Sequence, residues 1–300
     1  MGANVSKMKR KVIIWGHPLH SHTHSYIHYA FHKAFSFLGY ETIWTDDPTI
    51  DFPAGSLVIT EGQVDRQMPI IKGCRYLLHN CDIERYENVG IDFKVLQVYS
   101  HDCLDRDVEK LAPFEYYQPA AKTLYQPWGT DLLPPEIDDM SLIDAKSMLD
   151  YTCNWVGSVM PGEHGNIDQV QGFAIAASEN NVELRVHRNV DHSTGIKLVR
   201  SSYLAPAING AWQVKNGYIP CRIFKNVSYG HLGMTNSLAV HDLFEGMTTY
   251  NSDCRQLFYD GVRDFAKKTV AERLAVQQFV RDNHTYVNRI QNILRVMEID

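Results

Sequence analysis

No run of about 18 apolar residues occurs in the 300-residue chain, which argues against a membrane-spanning helix. No apolar core of a secretory signal is found either. The six cysteines, Cys74, Cys81, Cys103, Cys153, Cys221 and Cys254, never stand in CxxC spacing. Structural zinc is thereby disfavoured, and free thiols in a reducing, cytoplasmic compartment are expected. A basic excess is missing as well: 29 Lys and Arg against 35 Asp and Glu leave a net charge of −6. A chain whose main business were nucleic-acid binding would carry the opposite balance, so no nucleic-acid partner is expected. Internal repeats and low-complexity tracts are also absent. What remains has the apolar and charged fractions of an ordinary soluble enzyme, at a length that suits two domains.

The first ten residues read as a leader. Met1-Gly2-Ala3-Asn4-Val5-Ser6 fits the N-myristoylation pattern, and Lys7, Lys9, Arg10 and Lys11 follow as a basic patch. One acyl chain plus basic residues anchors only reversibly, so peripheral membrane contact is expected if Gly2 is acylated. A disordered leader, or a start at Met8, accounts for the same residues without lipid.

From Lys11 the pattern is strand, loop, helix, strand. Lys11 to Gly16 is a short apolar run suited to a buried parallel strand. Ile27, Ala30, Phe31, Ala34, Phe35 and Leu38 then repeat at helical spacing until Gly39 stops them. Glu41 to Trp44 is the second strand, and this order opens a Rossmann-like domain. Ser56–Thr60, Arg75–Leu78 and Lys94–Tyr99 continue the strands. Their ends carry Glu61, His79, Asn80, Asp82, His101 and Asp102 toward one rim, where a carboxylate can orient a basic histidine.

The loop after the first strand is rich in histidine: His17, His20, His22 and His24. Open α/β sheets bind ligands outside the carboxyl ends of their strands, and histidine is suited to proton transfer near neutrality. The same residues admit two other readings. His20-Ser21-His22, with His24, His28 and His32 spaced four apart on a polar helix face, resembles a metal-binding set. Alternatively, these are loop and surface histidines packed against Tyr and Trp.

The second half begins with a strand at Asn154–Ser158, followed by a helix with Asn166 as its N-cap and Gln169 as capping-box partner. Val182–His187 is a further strand, and a helix is expected around Tyr203 to Asn209. Pro220 can open a helix and Gly230 can close it, leaving an N-terminus with Arg222 and Lys225 that suits a phosphate. Past Ser237 two helices are expected. One carries Val262, Phe265, Ala266, Val270 and Leu274; the other carries Tyr286, Ile290, Ile293, Leu294 and Met297.

Pro220, Arg222, Phe224, Gly230 and Thr235-Asn236-Ser237 resemble the donor-binding helix of GT-B glycosyltransferases of group 1 type, with its pattern Pro-x-Arg-x-Phe-x(5)-Gly. The fold so implied is α/β, with two Rossmann-like domains facing across a cleft and a C-terminal helix crossing back to the first. The boundaries that follow are a leader at 1–10, an acceptor-side domain at 11–140, a nucleotide-sugar domain at 141–282 and a crossover helix at 283–300. The resemblance implies transfer of a sugar from a nucleotide-diphosphate sugar to a hydroxyl on a glycan, lipid or protein, with no cofactor and no metal required. It implies catalytic roles for His22 or His24, and acceptor-side roles for His17, His20, Glu61 and His79. On the donor side it implies Gly157 and Ser158 at the diphosphate, and Arg222 and Lys225 as its cations. Asn226, Ser228, Thr235 and Asn236 would add hydrogen bonds. Arg200, Tyr203 and Asn209 would reach base or sugar, with His187 and Arg188 near the base. Lys225 stands where the family usually has a ribose-binding Glu, so the Lys–Arg pair puts more positive charge on the diphosphate, as in fucosyltransferase-like donor sites. Two alternatives remain: a zinc-dependent hydrolase built on His20, His22 and His24, and a non-catalytic nucleotide-sugar binder.

Overall fold

The computed structural model describes residues 11–19, 24–62, 64–99, 107–144 and 151–299. The Gly2 motif, His20, His22, Cys103, His101 and Asp102 lie outside the described residues. Two compact units are present. One takes the chain up to Gln97, Pro119–Leu124 and the end from Ile290; the other takes Val98–Gln118 and Tyr125–Arg289.

The first unit is built on a sheet of β1 (Val12–Trp15), β2 (Thr42–Thr45), β3 (Leu57–Glu61), β4 (Arg75–His79), β5 (Asp92–Gln97) and β8 (Thr123–Tyr125), in the order β2-β1-β3-β4-β5-β8. The pairs from β2 to β5 are parallel. Every residue of β1 and β3 is buried, as the unbroken apolar runs predict for strands covered on both faces. Helix α1 (Ser25–Phe37) packs on β1 and β2 through Ala30, Phe31, Ala34 and Phe35. Trp15, Phe52, Val58, Tyr76 and Tyr86, the last from the short α2 (Ile83–Glu87), form a second apolar layer. The chain leaves β1 toward β2 on one side and returns to β3 on the other. The carboxyl ends of β1 and β3 therefore flank a topological switch point, where such sheets bind ligands.

In the second unit an antiparallel pair, β6 (Glu109–Ala112) and β7 (Glu115–Gln118), precedes α3 (Pro134–Asp138). Strands β9 (Thr152–Val156) and β10 (Glu183–His187) are parallel and are joined by α4 (Ile167–Glu179). Then follow α5 (His192–Arg200), α6 (Ala211–Lys215), α7 (Cys221–Ser228), β11 (Met234–Thr235), α8 (Leu238–Leu243) and β12 (Thr249–Tyr250). Helices α9 (Cys254–Lys267), α10 (Val270–Asn283) and α11 (Tyr286–Val296) complete the chain. Trp155, Phe173 and Phe258 centre one core under β9, α4 and α9; Phe224, Phe244 and Val280 centre another under α7, α8 and α10.

Four local expectations change. The segment from Tyr203 to Asn209 is extended, not helical: Tyr203 N–H donates to Thr152 O at 2.8 Å and Ala207 N–H to Met234 O at 2.8 Å. It thus bridges β9 and β11, and Pro206, which lacks an N–H, fits an extended segment better than a helix interior. Asn166 begins α4 but its side chain makes no cap bond. Its Oδ1 accepts from Met160 N–H at 3.3 Å and its amide donates to Ile208 O, so it ties two loops together. The stripe from Val262 to Leu274 is divided between α9 and α10, because Thr269 and Glu272 form a capping box that starts a new helix. His28, assigned to a polar helix face, is buried.

One buried ion pair ties several of these elements together. Arg289, on the first turns of α11, meets Glu115 of β7, and both side chains are almost fully buried. The guanidinium also donates to Pro127 O at 2.9 Å and to His284 Nδ1 at 2.8 Å, while Glu115 accepts from Gln126 Nε2 at 2.6 Å. Burial and the Arg289 charge together hold His284 well below the usual imidazole range, in keeping with an acceptor at Nδ1. Replacing Glu115→Ala would leave a buried guanidinium without its counter-charge. The expected loss of stability is about 3–5 kcal/mol, read as a lowered urea midpoint at unchanged slope.

Candidate functional site

At the switch point of the first unit, histidines gather around one buried carboxylate. Glu61 ends β3 and is 3% exposed. His17 Nε2 lies 3.2 Å from its Oε1, and His24 Nδ1 lies 3.7 Å from its Oε2. His28 stacks on His17 with ring centroids 6.3 Å apart, and His24 sets its ring against His79 at 5.8 Å. Gly16 makes this possible: a Cβ there would lie 1.9 Å from the His28 ring. His79 donates from Nδ1 to Leu96 O at 2.9 Å and accepts at Nε2 from the Asn80 amide at 3.1 Å. Burial lowers its pKa, against the bond to Leu96, so His79 serves as a neutral wall. Of the expected acceptor-side set, His17, Glu61 and His79 therefore come together, and His24, a candidate for the catalytic base, joins them. His32 lies apart, beside Trp44, with its pKa lowered by burial. Among the described residues no group of three or more His, Cys, Asp or Glu has metal-holding geometry.

In the second unit α7, the helix expected to meet a donor, starts after Pro220, its N-cap, and stops before Gly230, whose φ is +90°. Arg222 lies on its first turn. The guanidinium stacks 3.7 Å from the Trp155 ring centroid and donates from Nη2 to Val156 O at 2.9 Å. Burial draws Arg222 down to about 10, which leaves it a cation at neutral pH. Gly157 follows at φ +122°, and a Cβ on it would lie 2.5 Å from Arg222 Nη2. Ser158, next in the turn, is exposed. One turn along α7 from Arg222, Lys225 Nζ lies 3.1 Å from Asp131 Oδ2. The same oxygen is 3.2 Å from His192 Nδ1, and Oδ1 accepts from Tyr229 OH at 2.7 Å. Burial alone would raise the Asp131 carboxyl; Lys225, His192 and Tyr229 overcome that and hold it well below the usual range.

The remaining predicted donor residues are bonded within the protein. Arg200 donates to Tyr229 O at 2.6 Å and Ser141 O at 2.9 Å, which secures the end of α7. Tyr203 packs against Tyr151 and Phe265. Asn226 donates to Ala205 O at 2.8 Å, and Asn236 exchanges two bonds with the Asn209 backbone. Ser228 Oγ pairs with Thr130 Oγ1 at 2.7 Å, and Thr235 Oγ1 accepts from Ser237 N–H at 3.1 Å. His187 Nε2 meets Asn154 Oδ1 at 2.8 Å, and Arg188 donates to Val159 O. Asp131, His192 and Trp155 escaped sequence reasoning. Asp131 sits in a Pro-rich connection and His192 opens a helix; neither position carries a local signal of what it meets.

No protein family and no curated protein matches the chain. Among solved structures it is similar to beta-glucosyltransferase, a DNA-modifying enzyme solved in the presence and absence of its substrate uridine diphosphoglucose. The TM-score is 0.55 at 10% identity, over 97% of this chain and 100% of that one. The likeness is one of fold, and it agrees with an α/β chain of Rossmann-like units in the GT-B manner. Among the described residues no helix is long and apolar enough to cross a membrane.

Two measurements probe this scaffold. Gly157→Ala should cost about 1–3 kcal/mol, from backbone strain and displacement of Arg222; an unchanged urea midpoint would contradict the packing described. His231, just past α7, donates from Nε2 to Ser202 O and accepts at Nδ1 from Leu232 N–H. Burial lowers its pKa to about 4, opposed by the Ser202 bond and aided by Arg273 and Arg200. Between that value and an unfolded value of about 6.5 the unfolded chain binds more protons, so stability falls as pH drops through this window. The fall is at most about 3 kcal/mol, and His231→Gln should lose that part of the slope.

Proposed function

We propose that the protein is a glycosyltransferase that moves a sugar from a nucleotide-diphosphate sugar to a hydroxyl acceptor. The observation that carries the reading is the array of Arg222, Gly157 and Lys225 around the start of α7. Arg222 keeps its charge, Gly157 leaves the backbone bare beside it, and Lys225 follows one turn later. Such an array suits a diphosphate, whose oxygens are met by cations, bare backbone and a helix N-terminus. The fold likeness to an enzyme that uses uridine diphosphoglucose supports the same reading.

In the reaction, the acceptor oxygen forms a bond to the anomeric carbon as the bond from that carbon to the diphosphate breaks. The bonding pair leaves with the diphosphate, where Arg222, Lys225 and the α7 N-terminus offset the charge without need of a metal. If the sugar is inverted, His24 or His22 takes the acceptor proton. Glu61, beside His17 and His24, would orient the base and stabilise the imidazolium formed. The acceptor is a hydroxyl on a glycan, lipid or protein; the net charge of −6 disfavours a polyanionic one. A cytoplasmic location, with peripheral membrane contact if Gly2 is acylated, fits the thiols and the leader.

The test is a thermal-shift panel of UDP, GDP, ADP, dTDP and CMP, with and without EDTA. One nucleotide should raise Tm in a manner EDTA leaves unchanged. At a hundredfold excess over Kd the stabilisation is about 2.7 kcal/mol. Lys225→Glu, which would set a second carboxylate against Asp131, should weaken that binding at least about tenfold. Release of free diphosphate from the matching nucleotide sugar then separates an enzyme from a binder. No rise with any nucleotide, together with a fall on EDTA alone, would overturn the reading in favour of a histidine–metal hydrolase.

A further inference from the structure

The indole of Trp155 is engaged both on its face and on its edge. Trp155 is the fourth residue of β9 and is 2% exposed, in the core it shares with Cys153, Phe173 and Phe258. The Arg222 guanidinium lies over the ring, 3.7 Å from its centroid, and the indole Nε1–H donates to Ser158 O at 3.3 Å. Between those two contacts comes Val156, whose carbonyl accepts from Arg222 Nη2 at 2.9 Å. Next is Gly157, where a Cβ would meet the same nitrogen at 2.5 Å. Gly157 N–H in turn donates to His187 O at 2.9 Å. One ring therefore holds the cation and the turn beside it, and all of these residues belong to the second unit.

Packing alone does not call for this residue. An apolar core position is filled as well by Phe or Leu, whereas a buried indole N–H costs stability unless it finds an acceptor. Here the N–H finds one three residues on, and so closes the turn that leaves β9. The face has a separate role. A guanidinium is planar and stacks on an aromatic ring, so the ring sets its plane; the bond to Val156 O then fixes its rotation within that plane. An arginine without such contacts samples many rotamers, and ordering it only when a ligand arrives would cost affinity. We propose that Trp155 is a positioning residue for the donor diphosphate. Its face sets the plane of the Arg222 guanidinium and its N–H fixes the Gly157–Ser158 turn, so that cation and turn meet the ligand at one fixed spacing. This rests on the glycosyltransferase reading, since it presumes a diphosphate at Arg222. Trp155 acts through Arg222 and through the turn, with no contact of its own to the donor.

Calorimetric titration of the full chain with UDP and with inorganic pyrophosphate, over a small set of variants, reads the coupling. Trp155→Phe keeps an aromatic face and loses the N–H; Trp155→Leu loses both. Each is made in the wild-type background and together with Arg222→Gln, which removes the cation. In the wild-type background Trp155→Phe should weaken pyrophosphate binding about threefold, and Trp155→Leu about tenfold further. With Arg222→Gln the step from the phenylalanine to the leucine variant should have no effect, because no cation remains for the face to hold. A step of equal size in both backgrounds marks a general loosening of the core and overturns this inference while leaving the donor reading intact. Far-UV circular dichroism at the titration temperature verifies that each variant is folded. Where Trp155→Leu does not fold, uniform incorporation of 5-fluorotryptophan weakens the ring face at almost unchanged shape. It should lower pyrophosphate affinity about twofold in the wild-type background and leave it unchanged with Arg222→Gln; equal loss in both overturns the inference. No binding of UDP, pyrophosphate or any diphosphate of the panel by the wild-type protein removes both readings.

Discussion

The geometry around α5 and α7 in the second unit depends on one buried carboxylate. Asp131 is 3% exposed, and burying its charge would be costly without the ammonium, imidazole and phenol that converge on it. Those partners come from α5 and α7, so a single charge fixes two helices against the segment that follows β8. That segment is itself held: Thr130 N–H donates to His284 O at 3.0 Å, and a Cβ on Gly129 would lie 3.0 Å from the same carbonyl. Arg289 grips the carbonyls before it and pairs with Glu115. Position passes from the buried Arg289–Glu115 pair to the connection, from the connection to Asp131, and from Asp131 to the cations of α7.

The two cations of α7 differ in what balances them. Lys225 faces a carboxylate, which fixes its position and balances part of its charge. Arg222 is set on the face of Trp155 and bonded to a carbonyl, which orients it while its full charge is retained. A planar guanidinium can stack and donate at once; an ammonium cannot. Under the proposed function, this division would make Arg222 the principal anchor for the diphosphate.

In the first unit the organising constraint is topological. Because β1 lies between β2 and β3, the chain departs on both sides of it and leaves a gap at the strand ends. Glu61 occupies that gap, and the loop after β1 brings His17 and His24 to its two oxygens. Gly16 lets His28 close over the strand end, so the histidines form a packed group instead of a solvated helix face.

Much of the fold was legible because its signals are local. Apolar runs marked β1, β3 and β4, helical spacing marked α1, and Pro220 with Gly230 bounded α7 to within a residue. The failures lay where a distant partner decided the outcome. Tyr203–Asn209 is extended because two strands take its backbone bonds, and Asn166 leaves its cap because Met160 and Ile208 claim its side chain. By itself, then, the sequence determined the class of fold, the cationic helix and the histidine-rich loop, since periodicity, caps and residue chemistry act within a few positions. Only the tertiary structure decided that Lys225 answers to Asp131, that Arg222 rests on Trp155 and that His192 joins them. The contacting partners lie 61 to 94 positions apart, and charge and stacking depend on distance in space rather than along the chain.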